Sequence, residues 1–117
     1  MKLDAFTVAA IAAAMLVIIK LILRGAKVAS SIVREKIQSG AAIVDVRSPE
    51  EFKDGAYPGA LNIPLGEIGR RLGEIPKDKP VVLYCLSGAR SASAARTLKQ
   101  AGFTDVVNAG GLADMPK

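Results

Sequence analysis

Residues 81–91 read Val81-Val82-Leu83-Tyr84-Cys85-Leu86-Ser87-Gly88-Ala89-Arg90-Ser91, and the way they fold decides the rest of the chain. Val81 to Tyr84 form a short, unbroken apolar run, the pattern of a strand buried on both faces. Cys85 closes it. Leu86-Ser87-Gly88-Ala89 reads as a loop, and from Arg90 to Ala101 the residues Ala92, Ala95 and Leu98 fall on one helical face. The order is strand, tight loop, helix. Where such units build an open parallel sheet, ligands bind beyond the carboxyl ends of the strands, so Cys85 stands where a site is expected.

The flanking sequence supports such a sheet. Upstream, Ser30 and Ser31 are N-cap candidates for a helix through Gln38, stopped by Gly40. Ala41-Ala42-Ile43-Val44-Asp45-Val46 reads as a second buried strand. Ser48-Pro49-Glu50-Glu51 then has a cap, a proline at the first helical position and a glutamate closing a capping box, with the helix ending near Gly55. Tyr57-Pro58-Gly59 is a turn, Ala60 to Pro64 an irregular strand, and Leu65, Ile68 and Leu72 have the spacing of one helical face. Downstream, Gly102 is a C-cap, Asp105-Val106-Val107 a last short strand, and Ala109-Gly110-Gly111 turns away. Alternating strands and helices predict a mainly parallel sheet with helices on both faces.

The first 27 residues differ in character. Ala5 to Leu23 is apolar except for Thr7 and Lys20, and as a helix at about 1.5 Å per residue it reaches about 28 Å, close to the hydrocarbon thickness of a bilayer. A cleaved signal peptide competes with an anchor for this reading, but Lys20, Arg24 and Lys27 follow the apolar run where a cleavage site would be. A helix buried in a dimer is a third reading and needs a large partner surface. The expectation is a single-pass transmembrane anchor over 1–27 and a globular domain over 28–117. Lys20, Arg24, Lys27, Arg34 and Lys36 follow the apolar run and only Lys2 precedes it, which predicts a cytoplasmic domain.

The net charge of +5 is concentrated near that segment, since residues 28–117 hold 12 basic against 10 acidic side chains. With 4% aromatic residues and no basic run in the domain, nucleic acid is not an expected partner. One cysteine and no histidine exclude an internal disulfide, a Cys-x-x-Cys redox pair, a Cys/His zinc site and a Cys–His catalytic dyad within one chain. No metal and no cofactor is expected. Cys85 must act, if it acts, on the strength of its surroundings.

Those surroundings are suited to an anion. The loop can turn several backbone amides inward, and the helix beginning near Arg90 adds the positive end of its dipole. Amide-rich and cationic surroundings lower a thiol's pKa from about 8.5 and favour the nucleophilic thiolate. A free cysteine is often just a buried apolar residue. A cysteine that ends a strand and precedes a glycine-containing loop, an arginine and a helix is harder to explain as packing.

Three blocks together make the resemblance specific: Ile43-Val44-Asp45-Val46-Arg47-Ser48-Pro49-Glu50-Glu51-Phe52, Pro58-Gly59-Ala60-Leu61-Asn62-Ile63-Pro64, and Tyr84-Cys85-Leu86-Ser87-Gly88-Ala89-Arg90-Ser91. In this order and spacing, residues 28–117 resemble a rhodanese-type sulfurtransferase domain. The resemblance implies an α/β fold in which Cys85 takes sulfane sulfur from a donor such as thiosulfate, holds it as a persulfide and passes it to cyanide or a thiol. Leu86, Ser87, Gly88, Ala89, Arg90 and Ser91 would bind the donor's anionic group and the persulfide. Arg47 and Glu51 resemble the family's ion pair beside the site and, with Asp45, are expected to be structural.

The four residues between Cys85 and Arg90 match the family's sulfur-handling loop rather than the one-residue-longer loop of related phosphatases. The chain departs from the family at Ala56, where a histidine is frequent, and at Met115, where an aromatic is frequent. A persulfide formed without a second cysteine must be discharged externally, by a small thiol or by a membrane-associated protein partner. Besides an enzyme, the same residues allow a carrier module that binds sulfane sulfur or a partner without turnover, and, more remotely, a small phosphatase of related fold.

Overall fold

The computed structural model describes residues 2–24 and 27–117, with the backbone alone for 21–24. Its centre is a four-stranded, all-parallel sheet of β1 (Ala42–Asp45), β2 (Leu61–Asn62), β3 (Val81–Cys85) and β4 (Val106–Gly111), in the order β2-β1-β3-β4. The run of residues 81–85 is buried along its whole length and sits inside the sheet, with β1 on one side and β4 on the other. This is where an unbroken apolar strand has to be, because both its faces need cover.

Those two faces build two cores. Val81, Leu83 and Cys85 point to one side, where α4 (Ala89–Gln100) contributes Ala94, Ala95 and Leu98 beside Ile63, Ile68 and Phe103. Val82 and Tyr84 point to the other, where α2 (Ser30–Gln38) contributes Val33 and where Ala109 and Met115 pack. Met115 is 6% exposed, so the methionine fills the position at which the family often has an aromatic ring. The expected layering, with helices on both faces of a parallel sheet, is what the chain adopts.

The helix expected after Ser48 is present as α3 (Pro49–Lys53) and is capped as its sequence predicts. The Ser48 hydroxyl accepts from the Glu51 amide at 3.2 Å, and the Glu51 carboxylate accepts from the Ser48 amide at 3.0 Å. Three local expectations are corrected. Residues 65–72 do not form an α-helix but two 3₁₀ turns, Leu65–Arg70 and Leu72–Glu74; three glycines, Gly66, Gly69 and Gly73, disfavour a longer helix, and packing of Ile68 beneath α4 decides the conformation. The cap of α2 is Ala29 rather than a serine, since the preceding Val28 amide is bound to the Asn108 carbonyl at 3.0 Å and holds this segment extended up to Ala29. The pair Gly110-Gly111 does not turn away; it continues β4, with Gly111 opposite Cys85 across an irregularity in the ladder.

At the N-terminus, α1 (Ala5–Arg24) is 20 residues long. Among the described residues, no helix is long and apolar enough to cross a membrane. The side chains of 21–24 and all of residues 25 and 26, part of the expected anchor, lie outside the described residues. Lys27 pairs with Asp114 at 3.0 Å, which with the Val28–Asn108 bond ties the start of the domain to the far end of β4.

The reciprocal cap at Ser48 carries a measurable share of the domain's stability. Ser48→Ala should cost about 1 kcal/mol, read as a lowered midpoint in urea unfolding with unchanged slope. Glu51→Ala should destabilise as well, through loss of the same box.

Candidate active site

Cys85 ends β3, and from there the chain must leave the sheet, cross above it and enter α4 within three residues. Gly88 makes this possible: it is the residue before α4 and has φ of 99°, a conformation open to glycine and strained for other residues. The loop rests on β4 with no side chain between the two backbones. A Cβ on Gly88 would lie 3.2 Å from the Gly110 Cα, and one on Gly111 would collide with the Leu86 carbonyl oxygen. Gly110 itself has φ of 94°. The glycines on both sides are therefore what allows the loop to close so tightly over the strand ends.

This closure brings donors to the sulfur. The Gly88 amide donates to Cys85 Sγ at 2.9 Å, and the Ser91 hydroxyl lies 3.5 Å from it. Cys85 has no exposed surface, and burial pushes its thiol up; the Ser91 hydroxyl and the amides of Ser91, Gly88 and Ser87 outweigh that and bring it below the ordinary thiol value. The expected amide cradle is thus built by Ser87, Gly88 and Ser91. Leu86 contributes no donor to the sulfur and instead projects outward, 63% exposed, and Ala89 opens α4 on the surface.

Arg90 is engaged differently from the expectation. Its Nη1 and Nη2 donate to Glu51 Oε1 and Oε2 at 2.7 and 3.0 Å, a two-pronged pair in which Arg90 is about a third exposed. Glu51 therefore does not pair with Arg47. Hydrogen bonds from Arg90, then from the Ser48 amide, hold the Glu51 carboxyl down at about 2. The reason is geometric: the capping box faces Glu51 toward the sulfur loop, and the first turn of α4 brings Arg90 to meet it. A donor anion approaching the loop must share Arg90 with that carboxylate.

Arg47 turns inward instead. Its Nη2 donates to Asp45 Oδ2 at 2.7 Å and to the Gly55 carbonyl at 2.7 Å, and its guanidinium stands 5.6 Å from the Tyr84 ring centroid. Asp45 also accepts from the Arg47 amide at 2.8 Å, and both residues are buried. A buried pair this fully hydrogen-bonded holds the end of β1 beside the site, and removing one partner would leave a costly lone charge. Asp45 and Arg47, expected to be structural, are partners of each other.

Sequence reasoning passed over Asn108. It lies in β4, 6% exposed, with hydrogen bonds to Ser91, Gly88 and Gly110. A polar residue inside the apolar run Val106-Val107-Asn108-Ala109 was the available signal. Asp114 was also missed; its Oδ2 accepts from the Gly111 amide at 2.9 Å and so steadies the strand end under the loop.

A cysteine at the end of a central parallel strand, wrapped by an amide-donating loop that enters a helix, agrees with the comparison to known families. The model of the rhodanese-like domain matches residues 29–114. The chain belongs to the rhodanese-like domain family. A sulfurtransferase of Allochromatium vinosum is 48% identical over 66 residues, which cover 56% of this chain and 62% of that one. The thiosulfate sulfurtransferase PspE of Escherichia coli is 44% identical over 78 residues, covering 63% of this chain and 75% of that one. Among solved structures, a rhodanese with anions from E. coli superposes with a TM-score of 0.62 at 40% identity, covering 66% of this rhodanese-like chain and 95% of that one.

A thiolate favoured by the fold titrates below the ordinary thiol range, where the ultraviolet absorbance of the thiolate reports it without any reagent entering the loop. Ser91→Ala should move that midpoint upward, because the largest stabilising contribution is the hydroxyl. The linked stability has a definite sign: with the folded value depressed, it is present above the unfolded thiol's pKa and is lost as pH falls through the folded one.

Proposed function

We infer that this protein is a rhodanese-type sulfurtransferase in which Cys85 carries sulfane sulfur. The observation that carries the reading is the set of donors aimed at Sγ, from the Gly88 amide at 2.9 Å and the Ser91 hydroxyl at 3.5 Å, in a loop with no other titratable group than Arg90. Such donors stabilise a sulfur anion both before reaction and after a second sulfur has been added. The Cys85 thiolate attacks the outer sulfur of a donor such as thiosulfate; the new S–S bond forms as the donor's S–S bond breaks, and sulfite leaves with the electron pair. A nucleophilic acceptor, cyanide or a thiolate, then attacks the outer sulfur of the persulfide, and Cys85 leaves as thiolate. No redox partner or cofactor is required, because each step exchanges one sulfur between two nucleophiles.

Leu86 to Ser91 are the donor-binding segment in this reading. Ser87, Gly88 and Ser91 serve the sulfur, and Arg90, shared with Glu51, serves the anionic group. The names of the relatives support a transferase, and the four residues between Cys85 and Arg90 argue against a phosphatase. Thiosulfate incubation should add one sulfur atom to the intact mass, reversed by cyanide with release of thiocyanate, and Cys85→Ser should abolish both. A persulfide that forms but turns over only slowly would instead identify a carrier module. Failure of Cys85 to take up sulfur from any sulfane donor would overturn both.

We also propose that α1 anchors the domain in a membrane, with the domain on the cytoplasmic side. The apolar run of 5–23, the helical backbone over Ala5–Arg24 and the exposure of its side chains, 84% for Phe6 and 60% for Leu16, support this. The basic residues that follow the run support the orientation. A membrane-bound partner would then be the natural source or recipient of the sulfur. The full chain should sediment with membranes, resist extraction by salt and carbonate and yield to detergent, whereas residues 28–117 alone should remain in the supernatant.

A further inference from the structure

Asn108 has no place in the chemistry so far, yet its side chain meets two of the groups that surround the sulfur. Its Oδ1 accepts from the Ser91 hydroxyl at 2.7 Å and from the Gly110 amide at 2.9 Å, and its Nδ2 donates to the Gly88 carbonyl at 3.1 Å. The two backbone partners settle which end of the amide is oxygen, since an N–H offers no acceptor and a carbonyl no donor. Ser91 is thereby presented with an acceptor.

We propose that Asn108 is a positioning residue for the sulfur site: by holding the Gly88 carbonyl and the Gly110 amide it clamps the loop onto β4 and so keeps the Gly88 amide on Cys85 Sγ. Gly88 carries both the amide bound to the sulfur and the carbonyl held by Asn108, and at φ of 99° it is the loop residue whose peptides turn at least cost. That rotation is opposed at the Gly88 carbonyl by the bond from Asn108, by the first helical bond, from the Ala92 amide at 3.0 Å, and by the Ser91 hydroxyl when it turns there. Ser91 has a comparable choice. Its hydroxyl lies 3.1 Å from the Gly88 carbonyl and 3.4 Å from that of Gly110, besides 3.5 Å from Sγ. The hydroxyl has one proton, so its 2.7 Å bond to Asn108, the shortest of these, competes with Sγ for that proton while fixing where the oxygen sits.

The inference rests on the reading of Cys85 as a sulfur-carrying thiolate, but its test does not require sulfur transfer. Asn108→Leu keeps the volume and removes the hydrogen bonds; made in a Ser91→Ala background, where no freed hydroxyl proton can turn to the sulfur, it should raise the ultraviolet midpoint of the Cys85 thiolate by about one pH unit. With thiosulfate, kcat should fall on the order of tenfold with KM changed less. Asn108→Asp can accept but not donate and adds a charge near the sulfur, so its midpoint should rise further. A folded Asn108→Leu protein with a midpoint within about 0.3 unit of its Ser91→Ala parent would overturn the proposal. If that variant does not fold, Asn108→Ser in the same background decides by the same criterion, because its short hydroxyl cannot span Gly88 and Gly110 together. Should Cys85 accept no sulfur in the parent protein, the assigned activity falls while the midpoint shift still decides the role of Asn108.

Discussion

The site depends on a contact between two stretches of backbone. The loop from Cys85 to Gly88 lies directly on Gly110-Gly111 of β4, so closely that a methyl group on Gly111 would run into the Leu86 carbonyl and one on Gly88 would press on Gly110. The approach fixes the loop's height above the strand ends and so brings the Gly88 amide to the sulfur. Three further bonds secure it: Asp114 on the Gly111 amide, Asn108 on the Gly110 amide, and Asn108 on the Gly88 carbonyl. The sulfur itself is fully covered. Its environment is created by the way two glycine-containing segments meet.

That environment is a balance of opposing effects. Full burial disfavours a charged sulfur, and a hydroxyl with a group of amides favours it more strongly. The arginine contributes less directly than its position suggests, because Glu51 occupies both of its terminal nitrogens. The pairing makes the capping box of α3 part of the site's architecture: one carboxylate closes the helix start at Ser48 and restrains the first turn of α4 through Arg90. Asp45 and Arg47 do the same for β1, from a buried position beside Tyr84.

The N-terminal attachment reaches the same region. Val28 joins the Asn108 carbonyl and Lys27 joins Asp114, so the chain emerging from α1 enters the domain at the strand whose end forms the wall of the sulfur loop.

The sequence alone determined the elements whose signals are local. An apolar run had to be an interior strand, Ser48-Pro49-x-Glu51 had to start a helix, and a glycine-containing turn had to carry the chain from Cys85 into the next helix, since cap geometry and strand burial follow from neighbours only a few residues away. The tertiary structure decided what depends on residues far apart in the chain. Arg90 chose Glu51 across 39 positions, Asn108 reached Gly88 across 20, and the glycine pair stayed in β4 because it faces Cys85. The 3₁₀ turns of 65–74 belong to the same class, an apolar spacing that fits an α-helix overridden by glycines and by packing under α4. Side-chain pairing and close backbone contact are set by which surfaces the folded chain brings together, and no local pattern encodes that.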